Sequence, residues 1–139
     1  MIVDHLLELA DLQSVTAAAA STNTVDFGQE APTTGMDELE MVMVFTVAED
    51  VKGSITFAIQ HSDAETTGFA DAVASGSLTA PAAGTRVVLP MPHTHKRYVR
   101  AYFGGSPTAG KVNAVITTGF DANVPFKQAQ SVQSLYVKA

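Results

Sequence analysis

The sequence predicts an all-β fold, a jelly-roll-like β-sandwich with extended N- and C-terminal arms. Three observations carry that expectation. Short stretches rich in Val, Ile, Phe and Tyr alternate apolar with polar residues, the period-2 signature of half-buried strands. Clusters of Gly, Pro, Ser and Asp separate them at turn-like intervals. The overall usage, heavy in Gly, Ala, Thr, Ser and Val and without tryptophan, suits short strands and turns better than long helices.

Taken in order, residues 4–12 place Leu6, Leu9 and Leu12 three apart, the spacing of a short helix. SVTAAAASTNTVDFG (14–28) has Val15, Val25 and Phe27 at odd positions and reads as extended chain. LEMVMVFTV (39–47) is nearly continuous in apolar residues, as a buried strand is. GSITFAIQHS (53–62) alternates Ile55, Phe57 and Ile59 with polar or small residues, and EDVKG between these two has hairpin length. The small, polar stretch 62–84 has Phe69 as its single aromatic and room for a short strand near 69–74. TRVVLP (85–90), RYVRAYF (97–103) and KVNAVITTGF (111–120) are three further strands, the last two joined by the turn GGSPTAG. One domain therefore spans 1–139: an N-terminal arm and first strand over 1–28, a β core over 39–120, and a C-terminal tail over 121–139.

With 46% hydrophobic residues the chain can bury a core without staples, and the absence of cysteine excludes disulfides, thiolate metal sites and cysteine nucleophiles. The opening MIVDHLLELADLQ lacks a basic leader and a sufficient apolar run, so no signal peptide is expected. No stretch reaches the roughly 18–20 apolar residues of a membrane span. The expectation is synthesis in a cytosol and no membrane partner.

The net charge of −6 is unevenly spread. Residues 1–85 sum to −12, with Lys52 their single base, and residues 86–139 sum to +6. That polarity disfavours nucleic acid as a direct partner, because much of a backbone-tracking surface would be repelled. It serves contacts between neighbouring molecules, or it averages out where the two halves interleave.

No constellation points to catalysis. His93 and His95 would share one face of a strand, but a zinc site needs a third and a fourth ligand, and His5 and His61 are distant in sequence. Serines and threonines are plentiful, yet none sits in a framed nucleophile motif. Asp37, Glu38 and Glu40 match no calcium loop. GGSPTAGK departs from the phosphate-loop spacing, and Val112 follows its lysine. No enzyme activity, cofactor or metal is expected.

HTHKRYVRAYFGG (93–105) is the informative stretch. As a strand it turns Val99, Ala101 and Phe103 to one face and Tyr98, Arg100 and Tyr102 to the other. The first face suits a core. The second, with Arg97 beside it, is a stripe of the residue types that concentrate in protein interfaces, provided that Arg100 is not simply paired with a carboxylate on the adjacent strand. Ile2, Val3, Leu6 and Leu7 of the N-terminal arm are the other candidate contact residues.

Three blocks resemble the small capsid cement (decoration) proteins of short-tailed bacteriophages, of the type described for a Bordetella phage. They are MIVDHLLELADLQSVTAAAASTNTVDFG (1–28), IQHSDAETTGFADAV (59–73) and KRYVRAYFGGSPTAGKVNAVITTG (96–119), and together they cover most of the chain in order. The resemblance implies a jelly-roll protein that assembles as dimers, binds the outer surface of the virion shell, and bridges adjacent major capsid proteins. It implies synthesis in the cytoplasm of a host bacterium, and no catalytic residues. Two other roles use the same fold: a low-copy head–tail or tail accessory protein, and a virion-displayed glycan-binding module. The second is poorly equipped, with three tyrosines and no tryptophan to build a sugar platform. A hydrolase ranks last.

Overall fold

The computed structural model describes residues 7–28, 41–92 and 94–118. They form eight strands: β1 (Glu8–Ser14), β2 (Ala19–Ala20), β3 (Val25–Asp26), β4 (Met41–Ser62), β5 (Ala70–Ala74), β6 (Leu78–Thr79), β7 (Arg86–Pro90) and β8 (Tyr98–Thr118). All belong to one antiparallel sheet whose spine is the β4–β8 pair, matched from Met41 opposite Thr118 to Ser62 opposite Tyr98. The free edge of β8 takes β1, β2 and β3, and the free edge of β4 takes β7, β6 and β5.

Two expected turns are strand. EDVKG lies inside β4 and GGSPTAG inside β8, where they pair with each other through Lys52–Ala109, Gly53–Pro107 and Ser54–Ser106. The residues that signal a turn also suit a bulge, and only the partner strand tells the two apart. Register shifts fall between Val47 and Gly53, and Gly53 and Gly105 adopt φ of 86° and 84°, which L side chains rarely enter. The spine therefore bends without breaking.

The bend makes the sandwich. Phe45 and Phe57 lie twelve positions apart on β4, about 40 Å along a straight strand. Their ring centroids are 4.9 Å apart. Phe103, opposite Phe57, meets both edge-on at 6.2 and 6.0 Å. The strand has folded back, and the sheet faces itself in two layers. The first holds β1, β7 and the halves of β4 and β8 that pair from Met41 to Val47; the second holds β2, β3, β5, β6 and the other halves. Leu9, Met43, Val87 and Ile116 of the first layer and Val25, Ile55, Ile59 and Val99 of the second share one core.

The offset at the bend keeps both layers correctly faced. Val47 faces Val112 and Ile55 faces Gly105, so β4 uses eight steps where β8 uses seven. The inward residues of β4 stay odd-numbered throughout (Met43, Phe45, Val47, then Ile55, Phe57, Ile59). Those of β8 switch from Val99, Ala101 and Phe103 to Val112, Ala114 and Ile116. Each strand then buries its apolar set on both sides of the corner. Val44, on the opposite face, is buried too, which explains the continuous apolar reading of 39–47.

The N-terminal segment departs from expectation. The leucine spacing over 4–12 allows a helix, though the segment is short for one, and Glu8–Ser14 is a strand on the edge of β8. An isolated helix that short is weak, whereas the open ladder of β8 offers backbone partners and a buried seat for Leu9. Leu12 sits at a bulge with φ 49°, 53% exposed, its N–H held by Asn113 Oδ1 at 2.6 Å. The extended reading of 14–28 and the short strand near 69–74 hold, as β2, β3 and β5. Residues 121–139, expected as a tail, lie outside the described residues.

The corner is a direct target for mutation. A Cβ on Gly105 would meet Ser54 O at 2.7 Å, in addition to the strain of its φ, whereas Gly84 (φ 91°) has nothing within 4 Å of such an atom. Gly105→Ala is expected to lose about 2–3 kcal/mol and Gly84→Ala about 1 kcal/mol in urea denaturation. Equal losses would mean that the corner has room to give.

Candidate interface on the outer face of the second layer

The first half of β8 runs between β4 on one side and β2 and β3 on the other, so its alternation is fully expressed. Val99, Ala101 and Phe103 are completely buried, as the sequence predicts, and Tyr98, Arg100 and Tyr102 are half-buried on the outer face. Register sets their surroundings. Tyr98 lies between Ser62 and Asp26, Arg100 beside Gln60, and Tyr102 between Ala58 and Ala20. The alanines beside Tyr102 leave its ring standing over low ground.

Arg100 does not pair with a carboxylate among the described residues. Its Nε donates to Gln60 Oε1 at 2.9 Å, and Gln60 Nε2 donates to Asp71 Oδ1 at 2.9 Å, one strand further across the sheet. Gln60 is 8% exposed, a buried amide linking the half-buried Arg100 to the exposed Asp71. Above it, Ser62 Oγ donates to the Thr67 carbonyl and accepts from the Ala64 N–H, folding the following loop back over the sheet. That loop brings the Phe69 ring to 3.9 Å from the Arg100 guanidinium carbon. The aromatic partner of Arg100 is thus Phe69 rather than a tyrosine.

Arg97 is engaged differently. Its Nε and Nη2 donate to Asp26 Oδ1 and Oδ2 at 2.7 and 2.9 Å, a two-point pair, while its guanidinium lies 5.0 Å from the Tyr98 ring. The hydrogen bond from Arg97, then that from the Gly28 N–H, holds the Asp26 carboxyl below its usual range, and Asp26 raises the Arg97 pKa in return. Leu7 packs against the core of its own chain. Ile2, Val3 and Leu6 lie outside the described residues, as do His5 and His93.

The remaining histidines hold the chain at the entry to β8. His95 is 7% exposed, its Nδ1 donates to the Lys96 carbonyl at 2.8 Å, and its ring packs 4.8 Å from that of Phe27. His61 Nδ1 accepts from the Lys96 N–H at 3.2 Å. Among the described residues no group of three or more His, Asp or Glu side chains converges as a metal site would require.

Pairing also bears on the charge polarity. Lys96–Asp63, Arg97–Asp26 and Lys111–Glu49 each join a base of the second half to an acid of the first. At these three places the halves interleave.

The geometry defines a class: an all-β body with a rigid outer face of two tyrosines and an arginine. The comparison with known families is more specific. The chain belongs to the Bbp16 family, whose model matches residues 9–116, nearly the whole sandwich. Bbp16 is a family of Bordetella phage proteins, of structural type. No curated protein matches the chain.

Sequence reasoning reached the stripe and missed what surrounds it. Gln60, Asp71 and Asp26 become neighbours of the arginines only through strand register. Phe69 carried a signal, as the single aromatic of a polar stretch.

The entry to β8 should respond to acid. Desolvation, then the charges of Lys96 and His95, lower the His61 pKa from 6.5, with Asp63 acting in opposition. A base whose pKa is lowered by folding contributes stability above its unfolded value and loses it as pH falls through the folded one. Denaturation midpoints should therefore drop as pH falls below 6.5, and His61→Asn, which keeps an acceptor for Lys96 but cannot titrate, should flatten that slope. Asp26, lowered from 3.8, adds its own loss only at more acid pH. An unchanged slope in His61→Asn would assign the acid sensitivity elsewhere.

Proposed function

We propose that this chain is a capsid cement protein, which binds the outer surface of a phage head as a homodimer and bridges adjacent major capsid proteins. Membership of a phage structural family and the resemblance of the three sequence blocks support the reading. The observation that carries it is the outward Tyr98–Arg100–Tyr102 stripe, backed by three fully buried residues of the same strand. Rigid aromatic side chains on an immobile strand lose little entropy when a partner covers them, which is what a contact face requires. Pairing two such bodies in a dimer would convert modest individual contacts into lasting attachment.

Copy number tests the reading first. Chain abundance in gradient-purified virions, measured against the major capsid protein, should be a simple large fraction. A handful of copies per particle would instead indicate a head–tail or tail component. Tyr98→Ala with Tyr102→Ala should lower occupancy at fixed protein concentration at least tenfold, since truncating two interface aromatics removes about 2 kcal/mol or more. The thermal unfolding of the isolated chain should change little by comparison, and unchanged occupancy would remove the stripe from the contact.

A further inference from the structure

Three bases at the surface of this sheet each meet an acid, whereas Lys52 stands opposite Ala109 and Arg100 opposite Gln60. Glu49 stands directly opposite Lys111 and pairs with it at 3.7 Å; Asp26 meets Arg97 through both oxygens; Asp63 meets Lys96 at 3.3 Å. Opposite Arg100 the chain places an amide, Gln60, and puts the acid, Asp71, one strand beyond it. Opposite charges facing each other across strands stabilise a sheet, so the arrangement forgoes an available pair.

What remains at Arg100 is a charged group held in place and paired with no carboxylate among the described residues. Nε is fixed by Gln60 and one face of the guanidinium lies against Phe69. The amide cannot be turned around without loss, because its NH2 group must donate to Asp71 and its oxygen must accept from Arg100. Among the described residues the two terminal nitrogens, Nη1 and Nη2, have neither an ion pair nor a hydrogen bond. They form the edge with which a guanidinium receives a carboxylate through two parallel bonds. Tyr98 and Tyr102 flank the position on the same strand face.

We propose that Arg100, held by Gln60 and Phe69, is the receptor for one carboxylate side chain of the shell protein, an inference that rests on the cement reading above. A nucleic-acid phosphate fits less well: the chain carries −6 overall, and Asp26, Glu65 and Asp71 around the stripe would repel the phosphates that follow the first. A second copy meeting this face through the same face would bring arginine towards arginine. Of the acids around the stripe, Asp26 is engaged by Arg97, Asp63 by Lys96 and Asp71 by Gln60, which leaves Glu65. With a same-face contact between copies disfavoured, the carboxylate is assigned to a different protein.

The test exchanges amide and acid. In the double variant Gln60→Glu, Asp71→Asn, the carboxylate now next to Arg100 accepts both from its guanidinium and from the amide introduced on β5. Net charge and shape are kept, and the pair missing from the sheet is made internally. The variant should melt no lower than the wild type, yet bind heads assembled without this chain at least tenfold more weakly, with less dependence on salt. Arg100→Gln, which removes the charge alone, should lose as much and serves if the exchange disturbs folding. Wild-type affinity in a folded exchange variant, or in Arg100→Gln, would overturn the inference while leaving the cement reading intact. A shift of Arg100→Gln from dimer to monomer would overturn it in favour of a second copy. Failure of the wild-type protein itself to bind heads would bring down the reading and the inference together.

Discussion

The one-residue offset between β4 and β8 at the corner is the constraint on which the rest of the structure depends. Eight steps on one strand against seven on the other let both strands turn the corner and still bury their apolar sides. A sheet bent without that offset would turn one strand's polar set inward beyond the corner. Gly53 and Gly110, both at positive φ, fall within the irregular stretch on the two facing strands. Phe45, Phe57 and Phe103 then close the space that the bend creates.

That corner also positions the proposed contact face. Because the first half of β8 has strands on both sides and a filled core beneath, its outward side chains have little freedom to rearrange. The polar contacts around the stripe run across strands rather than along them: Asp26 to Arg97 from one edge, and Asp71 through Gln60 to Arg100 from the other. The two arginines, three residues apart, end in opposite conditions. Arg97 is neutralised at the surface by a two-point pair, whereas Arg100 is oriented and remains uncompensated by a described carboxylate.

The charge polarity shows how misleading a linear reading can be. Along the chain the acids stand mostly in the first portion and the bases in the second. The antiparallel pairing of β4 with β8, and of β1 to β3 with β8, interleaves them instead, and each of the ion pairs Lys96–Asp63, Arg97–Asp26 and Lys111–Glu49 bridges the two portions.

By itself the sequence determined the β class, the position of most strands and which side of each is apolar, because alternation is a local property that the pleat imposes residue by residue. Ile55, Phe57 and Ile59, and Val99, Ala101 and Phe103, were legible as core for that reason, and Tyr98, Arg100 and Tyr102 as outward. Tertiary structure decided whether a glycine-rich segment is a turn or a bulge, since EDVKG and GGSPTAG satisfy either until a partner strand supplies or withholds the ladder. It decided that residues 8–14 extend along β8 rather than coil, because the open edge of β8 outweighs a weak local preference. It also decided what each arginine touches: Gln60 and Arg100 lie forty positions apart, and only register makes them neighbours.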